Sequence, residues 1–195
     1  LLGERFLKIV HIINNLGLGG AEKLIEEFVP VMNNVKGVQV DILLLTDHGN
    51  VFYEDLIKKR VNVYVIKLKS IYNPLNIFLI ASFVNKNQYD IIHSHLFPTQ
   101  YWVALSKIFI RNKNVKFFTT EHSNNNRRRG KMYFKLLDKF IYSKYNRIIS
   151  ITPQVQNNLI NWIRPKKNLL KNFIVIENGI NINKYMNAQP YNKKK

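Results

Sequence analysis

Short apolar, β-branched runs alternate along this chain with longer segments whose apolar residues recur at helical spacing. Such alternation is the mark of βαβ units, in which each buried strand is followed by a helix that crosses back over the sheet. Residues 8–14 (KIVHIIN) read as the first strand, 17–20 as a turn, and 21–33 as a helix with Leu24, Ile25, Phe28 and Val29 on one face. Further strands are expected at 38–46, 61–67, 90–94, 116–120, 147–152 and 173–177, and further helices at 52–59, 74–87, 99–110, 130–145 and 153–163. Pro74 suits the first turn of its helix, where a missing N–H removes no intrahelical bond. Seven strands and about six helices in strict order predict a doubly wound α/β domain, its sheet mainly parallel and its helices on both faces.

Composition narrows the function classes. A chain of 195 residues that is 46% hydrophobic can bury a core large enough to offset its backbone entropy, which excludes disorder. The absence of cysteine excludes disulfides, thiolate chemistry and cysteine-type zinc sites. The longest apolar run, residues 77–84, includes Ser82 and falls well short of the roughly 20 residues of a membrane span. Glu4 and Arg5 interrupt the N-terminal apolar run, so it does not read as a signal peptide, and a cytoplasmic location with at most peripheral membrane contact is expected.

The net charge of +18 is unevenly spread. Residues 1–100 carry 10 basic and 9 acidic side chains, whereas residues 101–195 carry 20 and 3. The 22 lysines and 26 asparagines fit an A/T-rich coding bias, but the run Arg127, Arg128, Arg129 and the shortage of acids after Glu121 do not follow from it. The basic stretch continues through Lys131, Lys135, Lys139 and Lys144, opposed only by Asp138, with Leu136, Leu137, Phe140 and Ile141 expected to form a core-facing stripe. A solvated helix, an anionic membrane, a phosphate-bearing acceptor and nucleic acid all fit such a segment.

In a parallel sheet the ligand crevice lies beyond the carboxyl ends of the strands, so the residues just after each strand carry the functional reading. After the first strand come Gly17, Gly19 and Gly20, followed by Ala21 and Glu22. Glycines before a helix N-terminus let backbone N–H groups approach a phosphate, which the helix dipole also favours. A dinucleotide fingerprint would need a third glycine where Glu22 stands, although Asp47 after the second strand could imitate its ribose-binding acid; the same residues also fit a tight turn into a capped helix with Glu22 interacting with its dipole. His93 and His95 share one face of their strand by alternation and could bind zinc with His11 or His122, or one could pack while the other opens into the crevice. His122, between Glu121 and Ser123 at a strand end, could bind a sugar hydroxyl or carry a proton.

Taken in order, residues 8–13 (KIVHII), Gly19-Gly20-Ala21-Glu22, Ile92-His93-Ser94-His95, Thr120-Glu121-His122-Ser123, residues 148–152 (IISIT) and residues 175–181 (VIENGIN) resemble the N-terminal half of family 4 (group 1) glycosyltransferases. The match spans residues 8–186 in the family's order. This resemblance implies one Rossmann-like half of a GT-B fold, a retaining transfer from a nucleotide-sugar donor, and neither metal nor cofactor. It implies that Gly19 and Gly20 lie against the donor diphosphate, that His122 is the catalytic-site histidine beside the donor sugar, and that His95, Glu121 and Ser123 lie toward the acceptor. Residues 1–184 would form the N-terminal domain and 185–195 the start of an interdomain linker or a tail, with the C-terminal donor-binding domain absent and this chain inactive alone. The acceptor would be a glycan or lipid-linked intermediate of bacterial surface polysaccharide synthesis, with Arg127, Arg128, Arg129, Lys131 and Lys135 against an anionic membrane or acceptor. An NAD-type dinucleotide-binding domain and a basic nucleic-acid module are the competing classes; nucleic acid is not the expected partner.

Overall fold

The computed structural model describes residues 6–123 and 131–179. Within them seven strands form one sheet in the order β3-β2-β1-β4-β5-β6-β7. They are β1 (Leu7–Ile13), β2 (Val38–Leu44), β3 (Val63–Val65), β4 (Ile91–His95), β5 (Lys116–Glu121), β6 (Arg147–Ser150) and β7 (Phe173–Val175). Every neighbouring pair is parallel, so the sheet is more uniform than the mainly parallel one expected. The helices are α1 (Gly20–Asn33), α2 (Tyr53–Lys58), α3 (Asn76–Asn87), α4 (Thr99–Ser106), α5 (Met132–Tyr142), α6 (Pro153–Ile163) and the short α7 (Lys167–Leu170), with a 3-10 turn at Lys107–Phe109.

Strand alternation sorts the core into two layers. Val10, Ile12, Ile92, Phe117 and Ile148 pack with α3, α4, α5 and α6 on one face. Ile9, Ile13, Val40, Ile42 and Leu44 pack with α1 and α2 on the other. Helices therefore cover both faces, α3 to α6 with the short α7 on the first and α1 and α2 on the second, which is the doubly wound arrangement.

Local chemistry explains where elements start and stop. Thr152 caps α6 by accepting from the Val155 N–H at 3.2 Å, with Pro153 in the first turn, and the helix ends at Arg164 in a left-handed conformation. Helix α3 begins at Asn76 and not at Pro74, because the Asn73 side chain accepts from the Leu75 N–H at 3.0 Å and holds the preceding residues in a turn.

The core-facing stripe expected on α5 requires correction. Of the expected stripe only Ile141 is buried, with Asp138 and Tyr142 beside it, while Leu136, Leu137 and Phe140 are exposed, as is Met132. The cause is Asp138, whose two carboxylate oxygens accept from the Tyr101 hydroxyl and from Trp162 Nε1, the latter at 2.8 Å. A buried carboxylate must be hydrogen-bonded, and satisfying this one turns the 138/141/142 face inward. Asp138 is thus a core tie between α4, α5 and α6. Lys131 and Lys135 lie on α5 or at its start, Lys131 exposed and Lys135 half-buried, while Arg127, Arg128 and Arg129 fall outside the described residues. No described helix is long and apolar enough to cross a membrane.

Candidate active site at the switch point of the sheet

Strand order reverses between β1 and β4, whose following connections lead to opposite edges of the sheet and open a crevice beyond their carboxyl ends. The loops there are tied together. Asn14 Nδ2 donates to the Phe97 carbonyl at 2.9 Å, the Thr99 hydroxyl donates to Asn14 Oδ1 at 2.6 Å, and Gln100 Nε2 donates to the Thr120 carbonyl at 3.2 Å. The glycine loop is braced from the β2 side, where Asn50 Oδ1 accepts from the Leu16 N–H at 2.8 Å.

Gly19 precedes α1 in extended conformation, and Gly20 is the first helical residue. A Cβ at Gly19 would lie 2.2 Å from Glu22 Oε2, so the Glu22 carboxylate already sits over the helix N-terminus, where its charge complements the dipole. A Cβ at Gly20 would meet nothing within 4 Å, leaving open space against the backbone. Asp47, the ribose-acid imitator of the dinucleotide reading, is exposed and stands 3.4 Å from the His48 ring.

Four histidines assemble across three strands. His11 on β1 stands in register with His93 on β4, and His95 follows two residues later on the same face. Their rings lie close, with centroids 4.7 Å apart for His11 and His93, 4.4 Å for His93 and His95, and 5.1 Å for His11 and His95. His11 Nδ1 and His95 Nε2 share a hydrogen bond of 2.8 Å, and His95 Nδ1 and His122 Nε2 share one of 3.1 Å. His93 Nε2 pairs instead with the Thr120 hydroxyl at 2.7 Å.

Burial governs their protonation. Loss of water pushes His11 down to about 3 and His122 to about 4. His93 and His95 are held well below the usual imidazole range, first by burial and then by neighbouring imidazoles. All four are neutral near pH 7. The ligand atoms of His11, His93 and His95 lie within 4.8 Å of one another, as the zinc reading needs. Two nitrogens 2.8 Å apart are nevertheless closer than the about 3.3 Å that tetrahedral Zn–N bonds of 2.0–2.1 Å would set. The arrangement therefore reads as imidazoles hydrogen-bonded to each other.

The other expected site residues divide by exposure. Ser123 is exposed at the end of β5, whereas His95 is buried in the middle of the histidine row. Glu121 is also buried and accepts from the Tyr142 hydroxyl at 2.5 Å. Beside the row, an apolar cavity of about 810 Å³ opens between α1 and the sheet, lined among others by Phe28, Ile91, Phe118 and Ile151. Strand alternation alone could have flagged its β4 and β5 residues, but not that the face beside them is open.

No curated protein sequence matches the chain. Solved structures do share its fold. A glycosyltransferase from Rickettsia africae ESF-5 is 22% identical with a TM-score of 0.72, the match covering 95% of this chain and 47% of that one. Anabaena Alr3699/HepE in complex with UDP and glucose is 17% identical with a TM-score of 0.70, covering 92% and 46%. The S. aureus MnaA co-structure with UDP is 12% identical with a TM-score of 0.67, covering 97% and 50%. The chain spans about half the length of these proteins and has the Rossmann-like fold of one half of a GT-B enzyme. The model of Glycosyltransferase Family 4 matches residues 18–184, and the chain belongs to that family.

Proposed function

We propose that this chain is the acceptor-side half of a retaining transferase that moves a hexose from a nucleoside-diphosphate sugar to a glycan or lipid-linked acceptor of bacterial surface polysaccharide. The observation that carries this reading is that Gly20, with open space beside its backbone, and the half-exposed neutral His122 both follow carboxyl ends of strands around the switch point. A departing diphosphate gains negative charge as the glycosidic bond breaks, and backbone N–H groups with a helix dipole aimed at it lower the barrier. Neutral His122 contacts the donor sugar without adding a charge beside the developing positive centre. Ser123 is exposed on the acceptor side, and His95 and Glu121 act through the groups they hold. The second GT-B half completes the diphosphate site, so this half alone does not turn over. The UDP bound by Anabaena Alr3699/HepE and S. aureus MnaA makes UDP-hexoses the first donors to test.

The test is made in the full-length enzyme. His122→Ala and Gly20→Val are each expected to lower transfer from the active UDP-hexose at least about 100-fold, in the range set by loss of one oriented group. Unchanged rates in both variants would remove the site assignment.

The reading extends to the surface beside the site. Helix α5 exposes Met132, Tyr133, Leu136, Leu137 and Phe140 among Lys131, Lys135 and Lys139, a combination suited to the interface of an anionic bilayer at the inner face of the membrane. Each basic side chain near such a surface contributes about 1 kcal/mol. Co-sedimentation with phosphatidylglycerol vesicles is expected and should fall in a Leu136→Ser/Phe140→Ser variant; equal binding to neutral phosphatidylcholine vesicles would count against it.

A further inference from the structure

We propose that His11, His95 and His122 form a directional hydrogen-bonded row that fixes His122 as its Nδ1–H tautomer, making it a hydrogen-bond donor to a sugar oxygen and not a base. This inference rests on the placement of His122 beside the donor sugar and specifies what that residue can do there.

The row has few states. A neutral imidazole carries one N–H and one lone pair, so each hydrogen bond between two such rings dictates the tautomer of both. The two links, His11 Nδ1 with His95 Nε2 and His95 Nδ1 with His122 Nε2, run in the same sense along the row. Two arrangements therefore satisfy both links. In the first, every ring keeps its hydrogen on Nδ1: His11 donates to His95, His95 donates to His122, and His122 is left with its N–H on Nδ1. In the second, every ring keeps its hydrogen on Nε2, both links reverse, and His122 is left with a bare Nδ1.

The far end of the row selects between them. His11 is 2% exposed, and its Nε2 is buried with no hydrogen-bond partner. The second arrangement would place an N–H on that atom, whereas the first places only a lone pair there. Among buried backbone groups, orphaned N–H groups are rarer than under-satisfied acceptors, and the same preference applied to His11 Nε2 favours the first arrangement. The adjacent Phe28 ring, 5.0 Å away centroid to centroid, offers no lone pair and at most a weak π contact. Burial of His11 and His95 and partial burial of His122 keep the row neutral at working pH, so neither link is served by an extra proton.

The consequence reaches the site through geometry. With Nε2 accepting from His95, the ring nitrogen that His122 has left for a ligand carries its hydrogen. To act as a base at that nitrogen, it would first have to give the hydrogen up, and the whole row would have to reverse. His95 and His11 are accordingly positioning residues, one link and two links from the cleft.

Long-range proton–nitrogen correlation on the histidine-¹⁵N-labelled chain at pH 7.5 reads each tautomer directly. The expected spectrum has a pyrrole-type Nδ1 and a pyridine-type Nε2 for His11, His95 and His122 alike. His95→Phe should release His122 into the tautomer mixture of an unrestrained imidazole. A wild-type His122 with its hydrogen on Nε2 would overturn the proposal, as would a His122 locked on Nδ1–H in a folded His95→Phe variant. Should that variant not fold, the wild-type spectrum still decides. The spectrum is independent of turnover, so a failure of the row is distinguishable from a failure of His122 as a site residue, which the His122→Ala rate measures.

Discussion

Phe117 and Phe118 are consecutive residues of β5, identical in chemistry, and they stand in different surroundings. Phe117 is 2% exposed within the layer closed by α3, α4, α5 and α6. Phe118 is only half-buried, lines the cavity beside α1, and meets the edge of the His93 ring at 6.2 Å. The first face is closed by helices, and among its buried polar groups Ser94 pairs with the Tyr145 hydroxyl at 2.9 Å and Asp138 with Tyr101 and Trp162. The second carries His11, His93 and His95 in place of aliphatic side chains, and over β4, β5 and β6 it opens into the cavity. One face thus holds the fold together and the other supports the site, on strands that alternate between the two tasks.

Truncating the two phenylalanines breaks the comparison most directly. Phe117→Ala removes a fully packed ring and is expected to cost about 3–5 kcal/mol. Phe118→Ala removes a ring already facing open space and should cost about 1–2 kcal/mol, by the area it withdraws from water. Urea denaturation of both variants measures the gap. Equal losses would mean that the α1 face is as tightly filled as its opposite.

Most of this division was legible before any coordinates. Alternation put His93 and His95 on one face, and the reading of a parallel sheet fits the pairing of β4 with β1. What pattern could not supply was register. Whether His11 faces His93 or a neighbour depends on pairing between strands 80 residues apart, and the hydrogen-bonded row exists only in the register observed. The rotation of α5 escaped for a related reason: hydrophobicity favours burying Leu136 and Phe140, but the buried Asp138 has two specific donors on α4 and α6 that no local window contains. Helix α7 was missed because four residues give too little period to read. The glycine turn and the interaction of Glu22 with the α1 dipole were both readable, but the close approach of the Glu22 carboxylate to Gly19 is a rotamer choice that spacing does not encode.

Acid titration sharpens the contrast further, with a smaller effect per residue. His11 has its folded-state pKa lowered from 6.5 to about 3 by burial, so below pH 6.5 the unfolded chain takes up a proton that the folded chain refuses. Stability on account of this group is constant above about pH 6.5 and falls as pH drops toward about 3, below which the loss is complete. The slope is about 1.4 kcal/mol per pH unit for each histidine held neutral. Substituting His11→Phe should therefore flatten the dependence of unfolding free energy on pH, between about 6 and 4.5, by about that amount per unit. Phe117→Ala, on the closed face, should lower the whole curve without changing its slope. Parallel curves for wild type and His11→Phe would show that the histidine face is open enough for His11 to protonate freely, and the distinction between a dry fold-bearing face and a dry site-bearing one would be lost.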